Sequence, residues 1–354
     1  MQQIALMLTI KEIENLPVHF IMAMGRSGTT LLQTMLDAHE NIVAPFESRF
    51  LLHFKNKYQK TNHWTEKTKN TFFEDVTNEQ KISLFWDLNK SVLKNYLNIL
   101  PQNASYTTAC KMVYLSNNSI FKKGKPLCII DKNPVYSWLI PLVLNLFPDA
   151  NFIHLIRDAR GCVNSFLKFR KGIEKKSAQS WNTANYYIES FKKERTELFF
   201  TLRYEDLLKD PTTYLSDLCH FLNLDFQKQM CTYYKEVNAS IETYLNASTD
   251  RETLRLRKKG FELIHNNISK PINPSRIDSW KNKLSPKQID TISNASAYYL
   301  SKYGYLENTN ISKNKSYSYI ELFTFYKIQL YYCMPIWLRE LKSKPSLALL
   351  EDEQ

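Results

Sequence analysis

Glycine is scarce in this sequence, with 7 residues among 354. A collagen-like fibre needs glycine at every third position, so this architecture is excluded. The scarcity also makes any segment that contains two glycines more informative than it would be in an average chain. Gly25 and Gly28 lie three residues apart, which marks the segment around them as a candidate binding loop.

Cysteine motifs are also missing. The six cysteines form no C-x-x-C pair, and no His/Cys cluster has zinc spacing, so the sequence predicts no metal centre. Cys128 and Cys162 lie inside apolar segments, which predicts buried, reduced thiols and favours a reducing compartment.

Long uninterrupted apolar segments are absent as well. The best candidate, 322–338, contains Lys327 and Pro335 and falls short of the roughly 20 apolar residues that span a bilayer. The N-terminal run Ile4–Ile10 has no basic residue before it and no small-residue cleavage site after it. We therefore expect neither a transmembrane helix nor a signal peptide, and we predict a cytoplasmic protein.

The residues that are present fit a folded, soluble protein, since 44% are hydrophobic and 23% are charged. Lys and Arg number 47 and Asp and Glu 35, which gives a net charge of +12. This balance favours an anionic partner such as a nucleotide, sulfate, nucleic acid or anionic lipid. An Asn- and Lys-rich composition explains it equally well, so the charge alone does not identify the partner.

Four short apolar runs, each followed by a segment with helical periodicity, predict an α/β fold with a parallel sheet flanked by helices. The segment of about 45–125 predicts a helical cap inserted between the first two strands. We expect one domain over 1–310 and an aromatic, basic, helical extension over 311–354. The predicted strands are 18–22, 127–130, 151–156 and 198–202, and the helical segments are 30–38, 134–147, 159–169 and 211–222.

The segment 24–30 places glycines, an arginine and hydroxyl side chains between the first strand and the first helix. The backbone N–H groups of such a loop and of a helix N-terminus bind phosphate-like anions. The loop is P-loop-like but is not a Walker A loop, because threonine and not lysine follows the second glycine. An ordinary helix cap is the alternative. The candidate anion-binding residues are Arg26, Ser27, Gly28, Thr29 and Thr30.

A second candidate anion site follows the third predicted strand. Arg157 would lie at the carboxyl end of that strand, where ligands bind in open α/β sheets. Ser165 comes eight residues later, about two helical turns, so its hydroxyl can face the same way. A surface ion pair between Arg157 and Asp158 is the alternative.

These two segments, together with 203–207 (Arg-Tyr-Glu-Asp-Leu) and 280–282 (Trp-Lys-Asn), resemble the sulfotransferases that use 3′-phosphoadenosine-5′-phosphosulfate (PAPS). The resemblance covers about residues 17–305. It implies that the loop from Arg26 to Thr30 holds the 5′-phosphosulfate and that Arg157 and Ser165 hold the 3′-phosphate, with no metal required. Tyr204 is a candidate to pack on adenine, with a core position as the alternative, and Arg276 is a candidate to close over the nucleotide.

Glu47 is the acidic residue that this topology places nearest the anion loop. A hydroxyl acceptor needs a positioned carboxylate to take its proton, and the resemblance of 41–50 to the tyrosylprotein and bacterial branches implies that Glu47 is this general base. Pairing with Arg49 is the alternative. Histidines offer weaker candidates: His154 lies in a buried strand, and His53 and His63 lie in the cap.

The segment 131–134 reads Asp-Lys-Asn-Pro and lacks the histidine that cytosolic steroid and phenol sulfotransferases use near this strand, which favours Glu47. Lys132 closes the predicted second strand, where it can point into the same crevice as Arg26. Both cations are candidates to stabilise the charge on the leaving oxygen. A salt bridge between Lys132 and Asp131 is the alternative for this lysine.

The resemblance leaves the acceptor open. Apolar and aromatic residues in the cap favour a steroid- or lipid-like alcohol, with the cap's own core as the alternative use of these side chains. Phenols, tyrosine and sugar hydroxyls remain candidate acceptors. The cap aromatics in question are Phe46, Phe50, Phe54, Trp64, Phe72, Phe73, Phe85 and Trp86.

Two other functional classes stay open. A nucleotide-dependent small-molecule kinase has a related loop, although the Walker lysine is missing. A lipid-surface binding protein is the non-enzyme alternative, since 317–341 predicts an amphipathic helix that ends or kinks at Pro335. This helix is a candidate to pack on the domain, on a second subunit or on a membrane surface. We expect no nucleic-acid partner.

Overall fold

The computed structural model describes residues 8–245 apart from 62, residues 268–307, and residues 254–256, 258, 327, 330–332 and 334. Its centre is a five-stranded sheet with the order β2-β3-β1-β4-β5, in which every pair of neighbours is parallel. The strands are β1 (Val18–Met22), β2 (Ile42–Val43), β3 (Cys128–Lys132), β4 (Phe152–Ile156) and β5 (Phe199–Arg203). The predicted α/β fold with a parallel sheet is confirmed.

Helices connect and cover these strands. Those before β3 are α1 (Ile10–Asn15), α2 (Thr29–Asp37), α3 (Phe50–His53), α4 (Lys55–Tyr58), α5 (Glu66–Thr77), α6 (Gln80–Phe85), α7 (Lys90–Ile99) and α8 (Tyr106–Leu115). Those after it are α9 (Ile140–Leu146), α10 (Ala159–Phe166), α11 (Glu174–Glu194), α12 (Tyr204–Lys209), α13 (Pro211–Phe221), α14 (Gln229–Thr232), α15 (Tyr234–Leu245) and α16 (Pro286–Lys302). Short 3₁₀ turns lie at Pro134–Trp138, Thr196–Leu198 and Pro274–Arg276.

Most predicted elements differ from the structure by one to three residues at a boundary, and three differences are informative. The second and fourth predicted strands each lie one or two residues later in the chain, at β3 and β5. The predicted helix 134–147 is divided into a 3₁₀ turn and α9, because Leu139 leaves helical geometry between two proline-initiated segments. The two-residue strand β2 was not predicted, since two residues give no periodicity.

The inserted cap, α3–α8, contributes a group of aromatic rings to the apolar cluster that also covers one face of the sheet. Tyr58 stacks on Trp64 with ring centroids 5.8 Å apart, and Phe72 packs edge-on against both rings. The indole N–H of Trp64 donates a 2.9 Å hydrogen bond to the carbonyl of Ala104. Burying several aromatic rings against each other gives a small helical layer the apolar area that it needs to stay ordered.

The buried thiols predicted for Cys128 and Cys162 are confirmed, and Cys110 and Cys219 are buried as well. Cys333 lies outside the described residues. No helix in the described part of the chain combines the length and the apolar character needed to cross a membrane.

Most of the C-terminal extension lies outside the described residues, but a short part of it contacts the cap. The side-chain amide of Asn56 donates 3.0 Å hydrogen bonds to the carbonyls of Tyr332 and Met334. Tyr332 is buried in the same apolar cluster as the cap. These contacts favour packing on the domain among the three alternatives predicted for this segment.

The sheet order gathers three strand ends at one point. Strand β1 lies in the centre with β3 on one side and β4 on the other, and in the pairing register Ile21 is opposite Lys132 and Met22 is opposite His154. Because all three strands are parallel, their carboxyl ends lie at the same edge. Ligands bind at such a reversal of strand order in open α/β sheets.

Candidate active site

The loop after β1 lies at this edge and has an unusual backbone. Arg26 and Gly28 have positive φ angles of 69° and 96°. Gly28 precedes α2, and within the described residues no side chain caps that helix. Its first N–H groups therefore have no side-chain acceptor at this edge of the sheet, which is the arrangement that binds an anion.

A second feature fixes Gly28 in place. The ring of Tyr204 lies so close that a Cβ on Gly28 would approach a ring carbon to 2.4 Å. The guanidinium of Arg157 covers the Tyr204 ring at 4.4 Å from its centroid. The buried Tyr204 ring therefore lies between the loop and the predicted second anion site.

The two predicted anion-binding segments meet. Arg26 Nε donates a 3.1 Å hydrogen bond to Ser165 Oγ, and Arg157 Nη1 donates a 3.0 Å hydrogen bond to the Arg26 carbonyl. The Arg26 guanidinium also lies 5.0 Å from the centroid of the Phe169 ring. Arg157 Nε is buried without a hydrogen-bond partner among the described residues, so it is a donor that a bound anion would satisfy.

Ser27 is placed differently from its loop neighbours. Its side chain is buried, and Ser27 Oγ lies 3.5 Å from Cys162 Sγ. The residue is absent from the cavity wall, which Arg26, Gly28 and Thr29 line. The positive φ values on both sides of Ser27 turn its hydroxyl into the interior, so the structure does not bring this predicted anion ligand into the site.

Each carboxylate oxygen of Glu47 forms an ion pair with a lysine. Lys132 Nζ lies 3.1 Å from Glu47 Oε2, and Lys81 Nζ is hydrogen-bonded to Glu47 Oε1. Burial acts to raise the pKa of Glu47, but the positive charges of Lys132 and Lys81 outweigh it and lower the pKa to about 2. The carboxylate is therefore ionised at neutral pH, as a proton acceptor must be.

The alternative pairings considered for these residues are not the ones observed. Arg49 contacts the amide oxygen of Gln80 and not Glu47. Asp131 accepts a 2.6 Å hydrogen bond from the hydroxyl of Tyr114 on the other face of β3, while Lys132 points to Glu47. Burial lowers the pKa of Lys132, and Glu47 offsets part of that effect.

Further cations surround the end of the site near Arg157. Arg276, Lys168 and Lys283 line the same cavity. Burial lowers the pKa of Lys168, and the charges of Lys283, Arg276, Arg26 and Arg157 lower it further. Cations held this close to one another, with the pKa of one depressed by the rest, form a site that a multiply charged anion would stabilise.

One cavity of about 540 Å³ joins these groups. One side of the cavity is apolar: Leu84 and Phe85 come from α6 of the cap and Phe46 from the segment before it, while Leu31 of α2 and Pro134 after β3 complete this wall. Of the cap aromatics considered for an acceptor pocket, the structure therefore brings Phe46 and Phe85 to the cavity. Five others are buried in the core of the cap and are not part of the wall: Phe50, Phe54, Trp64, Phe72 and Trp86.

The histidine candidates lie elsewhere. His154 is buried, and its Nε2 is 3.0 Å from the side-chain oxygen of Asn185, as expected for a core histidine. His53 packs edge-on against Phe54, His63 is exposed, and neither lines the cavity. In the described part of the chain, no cluster of three or more His, Cys, Asp or Glu side chains could hold a metal ion.

Sequence reasoning missed Lys81 and Lys168. Lys81 belongs to the cap, where no motif links it to Glu47 in the linear sequence. Lys168 follows Ser165 by three residues, and its position one turn beyond a predicted anion ligand is the signal that could have found it.

A glycine-containing loop at the reversal point of a parallel sheet, an arginine after each of two adjacent strands and a lysine-paired carboxylate form a site of the kind that binds anion-bearing substrates. The sulfotransferase family matches residues 17–228. The chain belongs to the sulfotransferase family, and it is a sulfotransferase enzyme.

Individual relatives are distant. A protein-tyrosine sulfotransferase of Drosophila melanogaster is 23% identical over 76% of this chain and 48% of its own length, so the chain spans about half of that relative. An omega-hydroxy-beta-dihydromenaquinone-9 sulfotransferase of Mycobacterium tuberculosis is 33% identical over 28% of this chain and 30% of its own length. A solved sulfotransferase domain from the curacin biosynthetic pathway is 23% identical, covers 79% of this chain and 96% of its own, and has a TM-score of 0.48.

Proposed function

We propose that this enzyme transfers a sulfuryl group from PAPS to the hydroxyl of a steroid- or lipid-like alcohol, with Glu47 as the general base. The observation that supports this most directly is the place of Glu47. Its carboxylate lies in one cavity between the anion-binding edge of the sheet and the apolar wall of the cap. A hydroxyl held against that wall would reach the carboxylate on the side facing the donor.

The residues present fit the donor. The uncapped N-terminus of α2 and Arg26 would hold the phosphosulfate end. Arg157, with its unpartnered Nε, would hold the 3′-phosphate with Ser165 and the nearby Lys168. Tyr204, Leu208 and Ile272 supply apolar surface for the adenine ring on the same side of the cavity.

Three side chains would then share the work of the reaction. The donor supplies the sulfuryl group and leaves as 3′-phosphoadenosine-5′-phosphate (PAP). Glu47 takes the proton of the acceptor hydroxyl as the new O–S bond forms. Lys132 and Arg26 would stabilise the negative charge that develops on the phosphate oxygen as the bond from sulfur to that oxygen breaks. These cations are already in place at the strand ends, so little reorganisation accompanies the charge shift.

The apolar wall of the cavity is the reason for proposing a steroid- or lipid-like acceptor. Leu31, Phe46, Leu84, Phe85 and Pro134 offer surface for a hydrophobic body, while Glu47, Gln80 and Lys81 are polar groups that line the same cavity. Small-molecule sites commonly combine such a wall with a few polar groups that fix orientation. The menaquinone-derived acceptor in the name of the mycobacterial relative supports a lipid-like alcohol.

A tyrosyl or other phenolic hydroxyl is the second candidate. It is favoured by the protein-tyrosine sulfotransferases of Drosophila melanogaster and Danio rerio, which align with 76% and 84% of this chain. The same wall would pack against a phenol ring. Sugar hydroxyls fit less well, since the wall offers few polar partners for a ring of hydroxyls.

Incubation of the purified chain with sulfur-labelled PAPS and a matched panel of acceptors tests the proposal. The panel contains a sterol, a long-chain primary alcohol, a simple phenol, a tyrosine peptide and a disaccharide. We expect the highest kcat/KM with the sterol or the long-chain alcohol. Highest activity with the peptide would replace the lipid-like acceptor by the second candidate. Absence of transfer to every acceptor, with magnesium-dependent ATP turnover, would overturn the sulfuryl-transfer proposal.

A further inference from the structure

Glu47 is held from two layers of the protein. Lys132 comes from the end of β3 in the sheet, while Lys81 comes from α6 in the cap. Each lysine pairs with a different carboxylate oxygen. The base therefore lies at the junction of the two layers, with one cation on its donor side and one on its cap side.

The segment that contains Glu47 is fastened to α6 at three points. The indole N–H of Trp86, at the end of α6, donates a 2.7 Å hydrogen bond to the carbonyl of Phe46. The Arg49 guanidinium contacts Gln80 at the start of the helix, and the Glu47–Lys81 pair lies between these two contacts. These three non-covalent contacts fix the position of α6 relative to the Glu47 carboxylate.

The start of α6 is also fixed. The Glu79 carboxylate caps the helix by accepting a 2.8 Å hydrogen bond from the Ile82 N–H. From this start, Lys81, Leu84 and Phe85 reach the same cavity. Lys81 thus belongs to the cap face that lines the acceptor side, and its ammonium is part of the site's geometry.

The positive charges around Glu47 lie on two sides of its carboxylate, one toward the donor and one toward the cap. Lys132 from β3 and Arg26 from the anion loop are the cations on the donor side, and Lys81 from α6 is the third charge that faces the carboxylate. A donor bound at the strand ends brings negative charge next to Lys132 and Arg26. Lys132 and Arg26 then attract the donor as well as the Glu47 carboxylate, so they stabilise the carboxylate less. The negative charge of the donor also disfavours the ionised form of Glu47.

We propose that Lys81 is a positioning residue for the base, which keeps the Glu47 carboxylate ionised and aimed at the acceptor hydroxyl while Lys132 and Arg26 engage the donor. This inference rests on the proposed role of Glu47 as the general base. Lys81 acts through Glu47 and transfers no proton itself.

The proposal makes a prediction about pH. Removing a cation in contact with a carboxylate raises the carboxylate's pKa by about one to three units, and the charge of a bound donor acts in the same direction. In wild type, Glu47 starts from a pKa of about 2, so the acid limb of the rate profile lies below the range of a usual assay. Without Lys81, protonation of Glu47 moves toward that range and turnover falls as the pH is lowered.

The experiment compares Lys81→Met, Lys81→Arg, Glu47→Gln and the control Lys67→Met at saturating PAPS from pH 4.5 to 8.5. Lys67 lies on the exposed surface of α5 and is absent from the cavity wall. We expect Lys81→Met to lower kcat by up to about fourfold at pH 4.5 and to change it little at pH 8, because a pKa increase of about three units leaves Glu47 mostly protonated only at the acid end of the profile. Lys81→Arg restores the wild-type profile, because a guanidinium also pairs with a carboxylate. Binding of PAP stays within about twofold of wild type, since Lys81 faces Glu47.

A wild-type profile in Lys81→Met would overturn the proposal, as would an equal loss of kcat at every pH, which indicates altered pocket shape. Thermal melts accompany each variant, and Lys81→Gln replaces Lys81→Met if the latter does not fold. Full turnover in Glu47→Gln would remove Glu47 as the base and therefore reject both proposals. Loss of turnover in Glu47→Gln together with an unchanged Lys81→Met profile rejects the role of Lys81 alone.

Discussion

Arg26 Nε donates a 3.1 Å hydrogen bond to Ser165 Oγ, although the two residues are 139 positions apart in the chain. The first belongs to the loop after β1 and the second to the helix after β4. This contact merges two predicted anion sites into one surface. It also fixes the Arg26 guanidinium, which approaches Phe169 on its other side.

Arg157→Ala is expected to weaken binding of PAP. Arg157 is held over Tyr204 and presents a buried Nε without a partner in the described structure, so its loss removes a charge-assisted contact worth about 1.5–3 kcal/mol. This corresponds to a Kd about 10- to 100-fold higher by titration calorimetry. Arg195→Ala is the matched control, because Arg195 is exposed and absent from the cavity wall. Equal affinity in Arg157→Ala and wild type would contradict the assignment.

Two glycine substitutions separate backbone strain from steric collision. Gly28 and Gly172 both have positive φ, but a Cβ on Gly28 would collide with Tyr204, while one on Gly172 meets nothing within 4 Å. Gly172→Ala should cost about 1 kcal/mol of stability and keep PAP affinity. Gly28→Ala should lose at least about tenfold in PAP affinity, because the loop or Tyr204 must move. Denaturant unfolding and calorimetry measure both effects, and normal PAP binding by Gly28→Ala would count against the loop as the donor cradle.

Lys132→Ala should affect turnover more than nucleotide binding. The contact of Lys132 with the breaking bond would strengthen as charge develops, so its loss is expected to lower kcat about 100-fold or more. The Kd of PAP should change by less than about tenfold. Lys125→Ala, which breaks the surface pair with Glu12, serves as the control. A larger change in PAP affinity than in kcat would place Lys132 in ground-state binding.

Lys168→Met should reduce the preference for nucleotides with a 3′-phosphate. Lys168 lies among the cations near Arg157, where the 3′-phosphate is proposed to bind. We expect the Kd of PAP to rise about tenfold while the Kd of adenosine 5′-monophosphate, which lacks that phosphate, stays within about twofold. Lys171→Met tests whether any nearby exposed lysine has the same effect. A parallel loss of affinity for both nucleotides would exclude the 3′-phosphate as the partner of Lys168.

Asn56→Leu should lower stability through the C-terminal extension. Asn56 donates to the backbone of Tyr332 and Met334, and loss of two hydrogen bonds of this kind costs about 1–2 kcal/mol. Truncation after Ser316 should lower the Tm as well, with every acceptor affected alike. A stable truncation that loses apolar acceptors and keeps small phenols would instead support delivery of the acceptor by this segment.

The sequence predicts each of the longer strands to within two residues, because each contains a short apolar run. Val18–Met22 has five buried residues in a row, and its predicted bounds are those of β1. Arg157 and Ser165 are found together because the strand end and the helical repeat both fix their geometry. Ile42–Val43 was missed, since a strand of two residues shows no alternation.

The site is less predictable where it depends on contacts between layers. Nothing in the linear sequence indicates that Lys81 of the cap would reach Glu47, because the angle between cap and sheet sets that distance. The interior orientation of Ser27 is similarly a result of backbone geometry at Arg26 and Gly28. Local pattern therefore locates the ligand-binding edge, whereas tertiary packing decides which side chains face the ligand.

The strand order also constrains how the chain folds as it is synthesised. Strand β1 precedes the cap in the chain. Both of its neighbours in the sheet, which begin at Cys128 and Phe152, follow the cap. Until these neighbours are made, a fully buried apolar strand has no partner within the sheet, and closing such long loops slows folding. Strand β1 therefore has no hydrogen-bonded neighbour in the sheet until the whole cap has been synthesised. The edge that brings together Arg26, Lys132 and Arg157 is complete only once β3 and β4 have both paired with β1.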